Sequence, residues 1–174
     1  ATTDDLEVSA YLEIARAKRG QRPLPEPTRK GMGEAVVIVD FGSQYSRLIA
    51  RRIRELQVYC ELVPFDTSWD DVSHLNIHGV ILSGGPESVY AKDAPLAPAW
   101  IYENHIPILG ICYGMQVLTH QLGGKVVPSC KREYGHALLH QNTSDEPIFA
   151  GLTPSLPVWM SHADRIEEMP PGFR

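Results

Sequence analysis

The chain has 174 residues, a length that ordinarily folds as one domain of roughly 100–200 residues. It is 43% hydrophobic and 21% charged, which excludes collagenous, low-complexity and wholly disordered classes. A net charge of −5 gives no electrostatic footprint for nucleic acid, and no apolar run approaches the roughly 20 residues of a membrane helix. The three cysteines, Cys60, Cys112 and Cys130, are too few and too widely spaced for a disulfide framework or a zinc knuckle. The first residues, Ala1-Thr2-Thr3-Asp4-Asp5, are acidic where a secretory leader is basic. A reduced, cytoplasmic protein is expected, with neither nucleic acid nor membrane as its partner.

Residues 1–33 have a grammar of their own and read as an arm before the domain. Asp4 to Lys18 forms an amphipathic pattern with Leu6, Ala10 and Ile14 on one face. Pro23, Pro25 and Pro27 then alternate, forbidding helix and favouring an extended linker. From Glu34 the pattern changes. Ala35 to Val39 is a continuous β-branched run, suited to a strand buried on both faces. Gln44 to Gln57 reads as a helix with an apolar stripe of Tyr45, Leu48, Ile49, Ile53 and Leu56. Val58–Val63 and Val80–Leu82 read as strands, Ala97–Asn104 as a helix and Ile106–Ile111 as a fourth strand. Tyr113–Leu122 is a further helix, closed by Gly123-Gly124. Beyond Lys125 only short strand-like runs stand out, at Ala137–His140 and Leu156–Met160. Strands alternating with helices predict an α/β fold: a flavodoxin-like, open, mainly parallel sheet with helices on both faces.

The sharpest chemical signal is Gly110-Ile111-Cys112-Tyr113-Gly114. It is the thiol form of the nucleophile elbow, in which flanking glycines allow a strained strand-to-helix turn. Such a turn stands the nucleophile at the carboxyl end of the sheet, where open α/β folds place ligands. A helix N-terminus there favours a thiolate, and the Tyr113 N–H can face the oxyanion of a tetrahedral intermediate. Ser83-Gly84-Gly85-Pro86 ends the preceding strand, so a Gly85 N–H is a second candidate donor. A lone cysteine is otherwise most often a buried structural residue. Candidate bases are His120, His136, His140 and His162; by pattern alone His162 leads, having Asp164 two residues on.

Six segments together resemble the class I (triad) glutamine amidotransferases, in the form of the domain found in GMP synthetases. They are Val39–Tyr45, Ile81–Tyr90, Gly110–Gln116, Leu122–Gly124, Arg132–Ala137 and Val158–Asp164. The resemblance covers residues 34–174 and makes Cys112 the nucleophile toward the carboxamide of glutamine. It implies Gly85 and Tyr113 as oxyanion donors, and Gly84, Gln116, Tyr134, Gly135 and Asp164 as substrate-pocket residues. It implies no cofactor or metal in this domain. ATP and magnesium are expected on an ATP-pyrophosphatase (synthetase) domain outside these residues, which uses the ammonia to convert XMP to GMP. It also implies that the base belongs to a later His-Pro-Glu motif, which these residues lack. His162 is then a pocket residue and only a minority candidate for the base. The 174-residue chain is accordingly expected to be a fragment that hydrolyses glutamine poorly by itself. Two other readings stay open: another cysteine hydrolase of this fold, and a non-catalytic module that keeps the fold without the base.

Overall fold

The computed structural model describes residues 34–141 and 147–173, with only the backbone of residues 130–134, 147 and 161–163. The expected arm over residues 1–33 lies outside the described residues. Four strands form a parallel sheet in the order β2-β1-β3-β4, namely β1 (Glu34–Asp40), β2 (Tyr59–Pro64), β3 (Asn76–Leu82) and β4 (Ile108–Gly110). The helices are α1 (Ser46–Glu55), α2 (Trp69–Val72), α3 (Trp100–Glu103) and α4 (Tyr113–Gln121). Alternation along the strands sends side chains to two apolar layers. Ile38 and Cys60 pack with Ala50, Ile49 and Ile53 of α1 on one face. Val37, Val39, Val80 and Leu82 pack with Val72, Trp100, Ile101, Tyr113 and Val117 on the other. Helices therefore cover both faces of the sheet, as the α/β pattern predicts.

Several local expectations are corrected. The buried side of α1 runs through Ser46, Ile49, Ala50 and Ile53, while Tyr45, Leu48 and Leu56 are exposed, Leu56 to 77%. Small residues let a helix approach a sheet closely, so Ser46 and Ala50 outrank the larger side chains in setting the buried face. Only Trp100–Glu103 of the predicted 97–104 helix forms. Pro98 has no N–H to donate, and the Gln121 side chain takes both backbone groups of Ala97, at 2.9 and 3.0 Å. The fourth strand is confined to Ile108–Gly110, starting only after Pro107.

The largest correction concerns the second half of the chain. Its two short strand-like runs belong to β5 (Lys125–His140) and β6 (Ser155–Glu168), an antiparallel pair outside the parallel sheet. Charged residues and Gly135 interrupt the apolar pattern there, but a two-stranded ribbon is held by its ladder and needs no continuous hydrophobic face. Among the described residues its base enters the core, through Val126 and Ile166.

Burial has one consequence for pH. The phenols of Tyr102 and Tyr113 are pushed up to about 12 from an ordinary 10.0 by burial, with the Glu87 charge adding to the shift at Tyr113. The folded state thus keeps protons that the unfolded chain releases above pH 10. Their stabilisation is complete below pH 10 and is lost as pH rises toward 12. The thermal midpoint should fall over that window. The Tyr102→Phe/Tyr113→Phe protein should show a shallower fall; an identical slope would refute the assignment.

Candidate functional site

The carboxyl ends of β3 and β4 carry the candidate site. Cys112 is the N-cap of α4, is exposed, and has φ 53° and ψ −113°, a region costly for any residue with a β-carbon. Its flanking glycines are needed for different contacts. A β-carbon on Gly110 would lie 2.6 Å from Met115 Cα and 2.7 Å from Met115 N, inside the first turn of α4. One on Gly114 would run into the Leu82 carbonyl of β3. These two glycines are therefore what lets the strand turn into a helix so close to the sheet.

The glycine loop after β3 lies alongside. A β-carbon on Gly84 would stand 3.7 Å from Cys112 Cβ, and one on Gly85 would press against Phe41 O at 2.8 Å and Tyr113 Cδ1 at 3.1 Å. Around Cys112 most amides are already bonded within the fold. Gly114 N donates to Ser83 O at 2.9 Å and to Ile111 O at 3.0 Å, and Met115 N and Gln116 N both donate to Cys112 O. Among the described residues the Gly85 and Tyr113 N–H groups take part in no such bond. Tyr113 is otherwise fixed, its hydroxyl donating to Pro95 O at 2.9 Å and its ring 5.5 Å from that of Phe41.

Gln116 follows Cys112 by one turn of α4 and is buried, with its Nε2 donating to Asp164 O at 3.4 Å. Asp164, on β6, is only 7% exposed. Its Oδ2 accepts from Ser88 Oγ at 2.6 Å and its Oδ1 from Tyr90 OH at 2.8 Å. These two hydroxyls join the glycine-loop segment to the ribbon and satisfy a carboxylate that burial would otherwise penalise. Cys112, Tyr113, Gly84, Gly85, Gln116 and Asp164 are thus brought together. Gly135 lies on β5 opposite Met160, with φ 118°, and has no neighbour within 4 Å of where a β-carbon would be. The side chains of Tyr134 and His162 lie outside the described ones; their backbones pair with Ser161 and Glu133. His136 packs edge-on against Trp159 at 4.8 Å, and His120 is exposed at the far end of α4.

Sequence reasoning gave no role to Ser83, Ser88, Tyr90 or Asp40. Asp40 organises the loop after β1, its Oδ1 accepting from Gly42 N, Ser43 N and Ser46 Oγ at 2.9, 3.2 and 2.7 Å. All four lie inside the motif segments, and polar residues at the carboxyl ends of buried strands were the signal available.

The family model for class I glutamine amidotransferases matches residues 37–174. The chain belongs to the class I glutamine amidotransferase family. A curated relative named GMP synthase [glutamine-hydrolyzing], from Dehalococcoides mccartyi, is 58% identical over 163 residues, covering 93% of this chain and 31% of its own length. The protein of the same name from Thermomicrobium roseum is 59% identical over 140 residues, covering 80% of this chain and 26% of its own. The chain therefore spans between about a quarter and a third of the length of these relatives. Among solved structures, one described as a GMP synthase subunit from Thermoplasma acidophilum superposes with a TM-score of 0.70 at 32% identity, covering 82% of this chain and 71% of that one. A glutamine amidotransferase from Thermotoga maritima shares the fold at a TM-score of 0.56 and 21% identity, over 80% of this chain and 64% of that one. The elbow, the glycine loop and the Gln116–Asp164 pair lie next to one another in the fold. Among the described residues no helix is long and apolar enough to cross a membrane.

Proposed function

We propose that residues 34–174 are the glutaminase domain of a glutamine-hydrolysing GMP synthase, preceded by an arm over residues 1–33. The observation that carries this reading is the strained Cys112 at φ 53°, set beside two amides, Gly85 N–H and Tyr113 N–H, that donate no backbone bond among the described residues. The Cys112 thiolate attacks the side-chain carbonyl carbon of glutamine. The carbonyl electron pair moves to oxygen, where the two amides stabilise it. Collapse re-forms the carbonyl as the amide nitrogen takes a proton from the protonated base and leaves as ammonia, giving the thioester; the freed base then takes a proton from water, which attacks the thioester to give glutamate and release the thiolate. Gly84, Gln116, Tyr134, Gly135 and Asp164 line the substrate pocket, with Asp164 directed to the α-amino group. The ammonia serves an ATP-pyrophosphatase domain that converts XMP to GMP in the cytoplasm. ATP and magnesium belong to that domain, and no step at Cys112 uses them.

No His-Pro-Glu motif occurs in these 174 residues, and His162 is kept as the minority candidate for the base. Two measurements test the reading. The diazoketone analogue of glutamine should label Cys112 stoichiometrically at neutral pH and spare the buried Cys60. Equal labelling of Cys60, Cys112 and Cys130 would favour a non-catalytic module. The 174-residue chain alone should turn over glutamine several orders of magnitude more slowly than a complete triad enzyme. Normal turnover abolished by His162→Ala would instead make His162 the base.

A further inference from the structure

We propose that Ser83 is a positioning residue, its hydroxyl holding the Gly84–Gly85 peptide so that the Gly85 N–H faces outward as an anion donor. The inference rests on the hydrolytic roles proposed for Cys112 and Gly85. Ser83 closes β3 and is 0% exposed, so its hydroxyl must find partners inside the protein. It has two. Phe41 N–H donates to Ser83 Oγ at 3.2 Å, and Ser83 Oγ donates to Gly84 O at 2.9 Å. A backbone N–H can only donate and a carbonyl can only accept, so the partners themselves fix where the hydroxyl proton goes.

The rest follows from the peptide plane. No cis peptide bond occurs among the described residues, and in a trans peptide the C=O and N–H point in opposite directions. Drawing Gly84 O toward the buried hydroxyl therefore turns Gly85 N–H away from the interior. Two successive glycines leave this plane unusually free to rotate. A flip would present the negative end of the carbonyl where an oxyanion has to form. The residue that prevents it is itself immobile. Ser83 N donates to Val39 O at 3.0 Å, and Ser83 O accepts from Gly114 N at 2.9 Å. Ser83 thus ties the loop after β1 to the glycine loop through its hydroxyl, and the elbow to both through its backbone carbonyl.

The experiment uses the 174-residue chain and L-glutamate γ-semialdehyde, its concentration counted as the open-chain aldehyde in equilibrium with the five-membered cyclic imine it forms by losing water. The Cys112 thiolate adds to the aldehyde carbon, a C–S bond forms and the carbonyl π pair moves to oxygen, so a tetrahedral oxyanion arises without a protein base. Its affinity is read from protection of Cys112 against iodoacetamide, mapped by mass spectrometry. Alkylation itself displaces iodide and develops no oxyanion. Ser83→Ala should weaken semialdehyde binding about tenfold to a hundredfold, approaching the loss of an oxyanion donor. L-glutamate binding and the alkylation rate should stay unchanged. Ser83→Cys, which retains a weaker donor of similar size, should fall between. If the alanine protein shows no cooperative unfolding transition, the cysteine protein decides alone. Unchanged semialdehyde affinity would overturn the proposal, as would a parallel loss of glutamate binding and alkylation, the mark of a purely structural role. A parent chain that never binds the semialdehyde would instead refute the hydrolytic reading, and the proposal with it.

Discussion

Gly114→Ala should destabilise the domain by about 3 kcal/mol or more, at the upper end of what overpacking a filled interior costs. The added methyl would be driven into the backbone carbonyl of Leu82. That carbonyl belongs to β3, which is bonded on both sides by β1 and β4, so the strand cannot yield. Relief requires α4 to move off the sheet, breaking the Gly114 N–H bond to Ser83 O and displacing Cys112. Stability and covalent capture at Cys112 should therefore fall together. Gly84→Ala is the informative contrast. Its β-carbon would approach no nearer than 3.4 Å, to Ser43 Oγ, with Ser43 Cβ and Cys112 Cβ at 3.7 Å, so stability should change little while access to the sulfur narrows. Chemical denaturation of both variants gives the comparison, and equal stabilities would refute the close-approach argument.

Cys112→Gly should abolish capture by glutamine analogues yet leave the domain more stable than Cys112→Ala by about 1 kcal/mol. A non-glycine residue in a sparsely populated backbone region costs roughly 1–3 kcal/mol, and φ 53°, ψ −113° is such a region. Glycine relieves that strain while losing roughly 0.5–1 kcal/mol to greater unfolded-state freedom, leaving a net gain. Alanine is the proper reference, since both variants remove the sulfur and its exposed contacts. A glycine variant no more stable than the alanine one would show that the elbow holds no strain.

These effects separate what was legible in the residues from what was not. The strain at Cys112 and the need for Gly110 and Gly114 follow from the G-x-C-x-G spacing, because the chemistry of a strand-to-helix turn is local. The parallel strands were equally legible, since β-branched runs such as Val37–Val39 are buried on both faces. The α1 surface was not. Periodicity ranks residues by size, whereas close approach to the sheet favoured Ser46 and Ala50 and left Leu56 in solvent. The β5–β6 ribbon was hidden for a different reason: a ladder satisfies backbone groups without demanding apolar side chains, so its extent leaves little trace in composition.

The sequence by itself determined the family, the strand-to-helix elbow and the α/β alternation, because each is written in contiguous residues whose backbone demands are local. The tertiary structure decided which distant groups meet. Ser88 and Tyr90 reach Asp164 across more than 70 positions of chain, and Ser83 reaches Phe41 across 42. Such pairs form only when strand order and ribbon register bring carboxyl ends together, and side-chain hydroxyls carry no periodic signal that announces a partner. The length of 174 residues suggested a domain; only the fold shows that its elbow is held in place by loops from distant parts of that length.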